Sequence, residues 1–316
     1  MYPSRVRRPQ TAATIFFLML LGGGLPATAL ACACGCGMFD LGMPGLGLPN
    51  GTSGFVNLQD TWLNQNLAKQ DTSKIPLASS PDQKIQTNFL NLNFQYSFNH
   101  DWGVMAMLPY WQRSFYTNTA WGTQSLPVID HAQVSTLADI RLMGMYTGFS
   151  PDMSTGLIFG LKLPTGTYQA PGFDRDTEPG TGTTDLLLGG YQVGQERVWG
   201  WYLQGMLRRA LDTRTQYRPG DSLQLVAGAH YDANTFAEAL TPLLQWNLTY
   251  RRADSGAMAD PLNTGSKSLY LTPGFLVTFT SRLQGNLLLY LPLYQQVNGI
   301  QLVPRQIASA GLTYNF

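Results

Sequence analysis

The sequence predicts an all-β fold: a transmembrane antiparallel barrel of about twelve strands, closed by the C-terminal strand that ends in Phe316. Three observations carry the prediction. The first is the last stretch, Ile307 to Phe316. Counting back from the end, Phe316, Tyr314, Leu312, Ala310 and Ala308 alternate with Asn315, Thr313, Gly311 and Ser309. A period of two over ten residues is a strand with one apolar face, and ten tilted residues span a bilayer. The second is composition. Charged residues make up 12% of the chain and the formal net charge is +1, against about 25% charged residues in soluble domains. A barrel strand gives only alternate residues to lipid, so the chain lowers its charge without long apolar runs. The third is the sorting of connections. Short ones at 99–101, 150–152, 194–197, 232–240 and 281–283 alternate with long ones at 66–85, 113–134, 165–182, 210–220, 253–267 and 296–303. Short periplasmic turns and long outer loops are the layout of outer-membrane barrels.

The elements follow in order. Arg5, Arg7 and Arg8 precede an apolar run from Ile15 to Leu21, and Ala29-Leu30-Ala31 offers a small-x-small cleavage site. This predicts a secretory signal peptide over 1–31. The run is shorter than the roughly 20 residues a membrane helix needs. Residues 32–53 are expected to form a Cys-rich periplasmic tail, and 54–316 the barrel. Period-two alternation places strands at about 54–65, 86–99, 102–112, 135–149, 153–164, 183–193, 198–209, 221–231, 241–252, 268–280, 284–295 and 304–316. The second is the plainest: Leu90, Leu92, Phe94, Tyr96 and Phe98 alternate with Asn91, Asn93, Gln95, Ser97 and Asn99. Pro109, Pro164, Pro242 and Pro292 fall near strand ends, where a missing donor does little harm. Pro273 falls inside the tenth strand and predicts a bulge or a different boundary. Trp102, Tyr110, Trp111, Trp199, Tyr294 and Phe316 are expected as interface girdle aromatics. An even strand count puts both barrel ends in the periplasm and the protein in the outer membrane of a Gram-negative-type cell.

Parity within the strands assigns the charges. With Ile140, Leu142, Leu161, Leu163, Leu186 and Leu188 facing lipid, Asp139, Arg141, Lys162 and Asp185 face the lumen, and Arg208 and Arg251 follow by the same count. An Arg or Lys at mid-bilayer on the outer face would cost about 2–4 kcal/mol. These six residues either line a solute path or form a salt-bridge network that fills the barrel. Cys32, Cys34 and Cys36, spaced Cys-x-Cys-x-Cys, suit Cu(I) or Zn²⁺ as thiolates. Lipidation of Cys32 and a single disulfide are competing readings. Asp174, Asp176 and Glu178 in the 165–182 loop could attract a divalent cation, but their spacing matches no calcium loop. Of the three histidines, His100, His131 and His230, none sits in a Ser–His motif, and no G-x-S-x-G occurs, so no enzyme is expected. No basic patch supports nucleic-acid binding.

One pair of segments has a family look. Gly160-Leu161-Lys162-Leu163-Pro164-Thr165-Gly166 is followed, past a polar loop, by Pro179-Gly180-Thr181-Gly182-Thr183-Thr184-Asp185-Leu186-Leu187-Leu188-Gly189-Gly190-Tyr191. The strand start Ala138-Asp139-Ile140-Arg141 precedes both. Together these resemble the outer-membrane family named for the meta-pathway of phenol degradation, which is similar, more distantly, to the long-chain fatty-acid transporters. The resemblance is densest over about 135–192. It implies a twelve-stranded barrel and uptake of small hydrophobic or aromatic molecules. The expected partners are outer-membrane lipid, the barrel-assembly machinery and a small-molecule solute. The alternative function is a non-conducting barrel whose Cys tail holds copper or zinc.

Overall fold

A computed structural model describes residues 32–33, 54–123, 125–232 and 240–316. Its strands are β1 (Cys32–Ala33), β2 (Gly54–Asp71), β3 (Ser73–Lys74), β4 (Asp82–Ser97), β5 (Trp102–Asn118), β6 (Ile129–Leu137) and β7 (Arg141–Tyr146). Then come β8 (Thr155–Lys162), β9 (Asp185–Glu196), β10 (Trp199–Ala210), β11 (Ser222–Tyr231), β12 (Leu240–Arg251), β13 (Ser266–Thr278) and β14 (Leu283–Asn315). No helix among the described residues is long and apolar enough to cross a membrane. Each strand from β7 to β14 pairs antiparallel with the next in sequence, and β2, β4 and β5 do the same. β14 returns to β2, with Asn315 opposite Phe55 and Ile307 opposite Leu63. Phe316 and Gly54 exchange backbone hydrogen bonds at 2.9 and 3.1 Å. The ring of strands is therefore closed into a barrel, as hydrocarbon requires because it offers backbone groups no other partner.

β14 is a folded hairpin rather than one long strand. Asn315 N–H donates to the Arg282 carbonyl at 2.8 Å, and Gln295 Nε2 reaches the Pro304 carbonyl at 3.0 Å. The chain thus turns back at Asn298-Gly299, where Gly299 takes a φ of 52° that favours glycine. Counting its two limbs, and β6 with β7 as one interrupted strand, gives the expected twelve. The long connection predicted at 296–303 is this tight turn. Loops predicted at 66–85 and 113–134 shrink in the same way, because β2 runs to Asp71 and β5 to Asn118. Alternation fails past Gln65 because β2 bulges there: Gln65 and Leu67 stand opposite the successive residues Pro304 and Val303, which leaves Asn66 as an extra residue, and bulges shift side-chain parity.

The outer face is apolar because of period two. On β12, Leu244, Trp246, Leu248 and Tyr250 are exposed while Gln245 is buried. Leu248→Arg should cost about 2–4 kcal/mol. The expected outcome is a lower temperature for the heat-induced gel shift, and an unchanged temperature would contradict lipid placement.

Three local expectations are corrected. Pro109 lies mid-strand, opposite Asn91, not at an end. Trp111 turns inward: it packs edge-on against buried Phe89 at 4.8 Å, so it is not a girdle residue. The bulge near Pro273 sits at Leu269/Tyr270, on the β14 side, while Pro273 itself stays in register with Leu244.

Candidate functional site

The predicted single strand over 135–149 is broken. β6 ends at Leu137 and β7 begins at Arg141. The cause is local. Pro109, on the facing strand, has no N–H to offer, and only its carbonyl is used, by Ala138 N–H at 2.9 Å. β6 pairs with β5 alone. Its free side is met by the start of the 163–184 loop: Ile140 N–H donates to Thr165 Oγ1 at 2.9 Å, and Thr136 and Thr167 hydroxyls lie 3.0 Å apart. The chain then turns into the barrel.

Asp139, released from regular pairing, anchors that loop. Its Oδ1 accepts Gly166 N–H at 3.0 Å and its Oδ2 accepts Thr181 N–H at 2.9 Å. Lys162 Nζ sits 2.6 Å from Asp139 Oδ2 and 3.3 Å from Asp185 Oδ2, and donates to the Thr183 carbonyl at 2.9 Å. Arg208 Nε is 3.8 Å from the same Asp185 oxygen. On the far side Arg251 Nη2 grips both oxygens of Asp254 at 2.7 Å, and Tyr217 Oη donates to Asp254 at 2.7 Å. All six lumen residues expected from parity are buried. Five of them, Asp139, Arg141, Lys162, Arg208 and Arg251, line one small cavity of about 40 Å³, closed from above by Arg175, Glu178 and Gly180 of the loop. That is room for about one water molecule or a few. The filled-barrel reading therefore describes the constriction.

Three participants escaped the sequence reading. Arg113 donates through Nη1 to the Thr177 carbonyl and through Nε to Thr87 Oγ1 at 2.9 Å, with its guanidinium 5.0 Å from the Trp111 ring. It lay just past the predicted strand end. Asp254 and Tyr217 lay in predicted loops, and the spacing Arg251-x-x-Asp254 was the only hint. The loop also carries an acid cluster. Burial, helped by Asp176 and Asp260, pushes the Asp174 carboxyl up to about 6. Burial pushes Glu178 up to about 7, against the pull of the Ala170 N–H, Arg175 and Arg113. Both acids are thus held neutral more readily in the seated loop than in a released one. Seating takes up protons, so it is favoured fully below about 4 and weakens as pH rises through about 7. Tryptic cleavage after Arg175 should be faster at pH 8.5 than at pH 6.5, after correction on an unfolded control. Equal corrected rates would contradict the linkage.

The cysteines contribute no described chemistry. Cys32 and Ala33 pair in parallel with Gln301 and Leu302, at the barrel end remote from Gly54; Cys34 and Cys36 lie outside the described residues, as does the expected signal peptide.

No family model matches the sequence, and no curated protein matches it. Among solved structures, an outer-membrane channel from Pseudomonas putida F1 superposes with a TM-score of 0.67 over 87% of this chain and 99% of that one, at 16% identity. This is the fold of an outer-membrane β-barrel. The monoaromatic hydrocarbon channel CymD gives a TM-score of 0.46 at 10% identity, covering 84% of this chain and 88% of its own. The P. putida toluene transporter TodX gives 0.44 at 12%, covering 85% and 91%. These two overlaps are too loose to carry further argument.

Proposed function

We propose that this protein is an outer-membrane channel passing small molecules that combine a ring or short apolar body with a polar group. One observation carries the reading: at the constriction the lumen is covered by the 163–184 loop, which is held there through hydrogen bonds and ion pairs. Such contacts exchange readily for water, whereas packed wall residues do not.

The remaining lumen supports the solute class. One side presents Met145, Ile158, Leu187, Tyr191 and Met206 as an apolar cluster. Another presents amides: Asn93 donates to Asn57, Asn57 to Thr313, and Gln59 to Asn286, all at 2.9–3.0 Å. A two-faced lumen favours amphipathic solutes over ions. Because the loop also stands in for the missing partner of β6, its release would open the lumen and loosen the wall together. In this reading Gly54 and Phe316 face the periplasm and the loop faces outward.

Planar-bilayer recording and solute uptake into proteoliposomes test the proposal. Low conductance with measurable uptake of benzyl alcohol is expected. Absence of both conductance and uptake, in the wild type and in a variant with the loop released, would exclude a channel. Trypsin applied to intact cells at pH 8.5 should cut after Arg175, and protection there together with cleavage in permeabilised cells would reverse the orientation.

A further inference from the structure

The lipid-facing rows of the wall do not end in apolar residues. On β12 the outward row climbs through Leu244, Trp246, Leu248 and Tyr250. Arg252 continues it, with its side chain 67% exposed. On β13, exposed Lys267 stands in register between Tyr250 and Gln296, above Leu269 and Leu271 of its own outward row. These residues enclose a cleft of about 280 Å³ on the outside of the barrel, lined also by Ser266 and Asn298. We infer that this cleft binds the phosphate of an outer-leaflet glycolipid, a phosphorylated sugar lipid seated against the outer wall. The leaflet follows from the orientation proposed above, and the inference needs no solute path.

Charge selects an anion. Among the described residues, the lining holds cations and no carboxylate. The carboxylates nearby are already placed. Asp254 is buried and holds Arg251, the third cation of the lining, at 2.7 Å. Asp71 accepts from the Gln296 amide at 2.8 Å. Asp221 lies 3.7 Å from Arg252, and an exposed pair of that kind is worth little. Lys267 Nζ is 5.9 Å from the Tyr250 ring, so its stem covers the ring while its head stays at the polar level. Position selects a lipid. A cation directly above the tyrosine that ends a lipid-facing row sits among headgroups, where Lys and Arg attract anionic lipid, and phosphate takes charge-assisted hydrogen bonds from both side-chain types.

The same wall favours a sugar headgroup over a phospholipid one. On β2 the outward row passes from Trp62 to Asn64, and a trough of about 640 Å³ opens there, across the β14 turn from the cleft. Asn64, Asn66, Gln86, Asn88, Gln112 and Gln306 line it together with Arg305, and among the described residues no carboxylate does. Side-chain amides donate and accept at once, as sugar hydroxyls do. Trp62 adds a flat apolar surface at the foot of the trough, the usual place of Trp where one end of the ring is apolar and the other wet.

The test is native mass spectrometry of the folded full-length barrel in detergent. It is titrated with diphosphoryl lipid A, the same lipid stripped of phosphate, and phosphatidylglycerol. Lipid A is expected to bind at least about tenfold more tightly than its phosphate-free form. Lys267→Gln and Arg252→Gln should each weaken lipid A about fivefold, the loss of one cation near a headgroup, in barrels that keep their heat-dependent gel shift. Arg197→Gln, in the turn at the opposite end of the barrel, should leave binding unchanged. Equal binding with and without phosphate, no binding of either, or a preference untouched in the Lys267→Gln/Arg252→Gln double variant would overturn the inference. An equal loss in Arg197→Gln would overturn it in favour of unspecific charge attraction. Phosphatidylglycerol binding as tightly as lipid A would overturn it in favour of a phospholipid, and sodium phosphate displacing lipid A at equal concentration in favour of a free anion. Transport plays no part in the titration, so loss of the channel reading would leave its outcome standing, and the reverse.

Discussion

Lys162→Met is expected to release the plugging loop. Lys162 is 2% exposed and is the cation nearest to both Asp139 and Asp185, themselves 5% and 0% exposed. Removing it leaves Asp139 with neutral hydrogen-bond donors, the Gly166 N–H and the backbone and hydroxyl of Thr181. Asp185 retains Arg208 at 3.8 Å and the Thr183 hydroxyl at 2.7 Å. Breaking one side of a buried ion pair costs about 3–5 kcal/mol, most of it from the charge left behind. That is comparable to what the polar contacts of the loop return together, at about 1 kcal/mol each. The least costly response is for Asp139 to reach water, which requires the loop to lift. Single-channel conductance should rise several-fold and the heat-shift temperature should fall. Adding Asp139→Asn should restore part of the stability, because the two substitutions share one interaction and their effects cannot be additive. Unchanged conductance in Lys162→Met would show that the seal lies elsewhere.

The wall of the barrel was legible in the sequence, and the plug was not. Wall positions obey a local rule: Leu244, Trp246 and Leu248 point outward because each neighbour along the strand points the other way. The same rule placed Asp139, Arg141, Lys162, Asp185, Arg208 and Arg251 inside, without reference to distant partners. What failed were features set by contacts far apart in sequence. Asp139 holds Gly166 and Thr181, 27 and 42 residues away, and nothing in the polar loop composition announces that it folds inward. Trp111 looked like a girdle residue because it sat at a predicted strand end, yet the strand runs on to Asn118 and parity turns Trp111 inward. The hairpin within β14 was hidden for a related reason. Pro304 and the bulges beside it interrupt alternation where the strand continues, so a tight turn read as a long loop.

A steric substitution separates plugging from structural support. Gly180→Val should unseat the loop with no change of charge. A Cβ on Gly180 would lie 2.6 Å from the carbonyl carbon and oxygen of Gly166. A Cβ on Gly166 would in turn lie 2.8 Å from Ala138 backbone atoms and 2.9 Å from Asp139 N. The returning arm of the loop thus lies flat on its outgoing arm, and that arm lies flat on the break between β6 and β7. All the near atoms are backbone, so no side chain can swing aside. Neither glycine adopts a left-handed φ, so the obstacle is contact and not conformation. Overpacking of this kind costs about 1–3 kcal/mol, enough to shift a loop held by polar contacts, and both residues lie outside the strands that close the barrel. Conductance should therefore rise as in Lys162→Met, while the heat-shift temperature falls less, because no buried charge is stranded. If conductance stays at the wild-type value while the barrel loses its heat shift, the loop is a keystone of the wall instead. The break at 138–140 would then be a structural joint that the 163–184 segment completes.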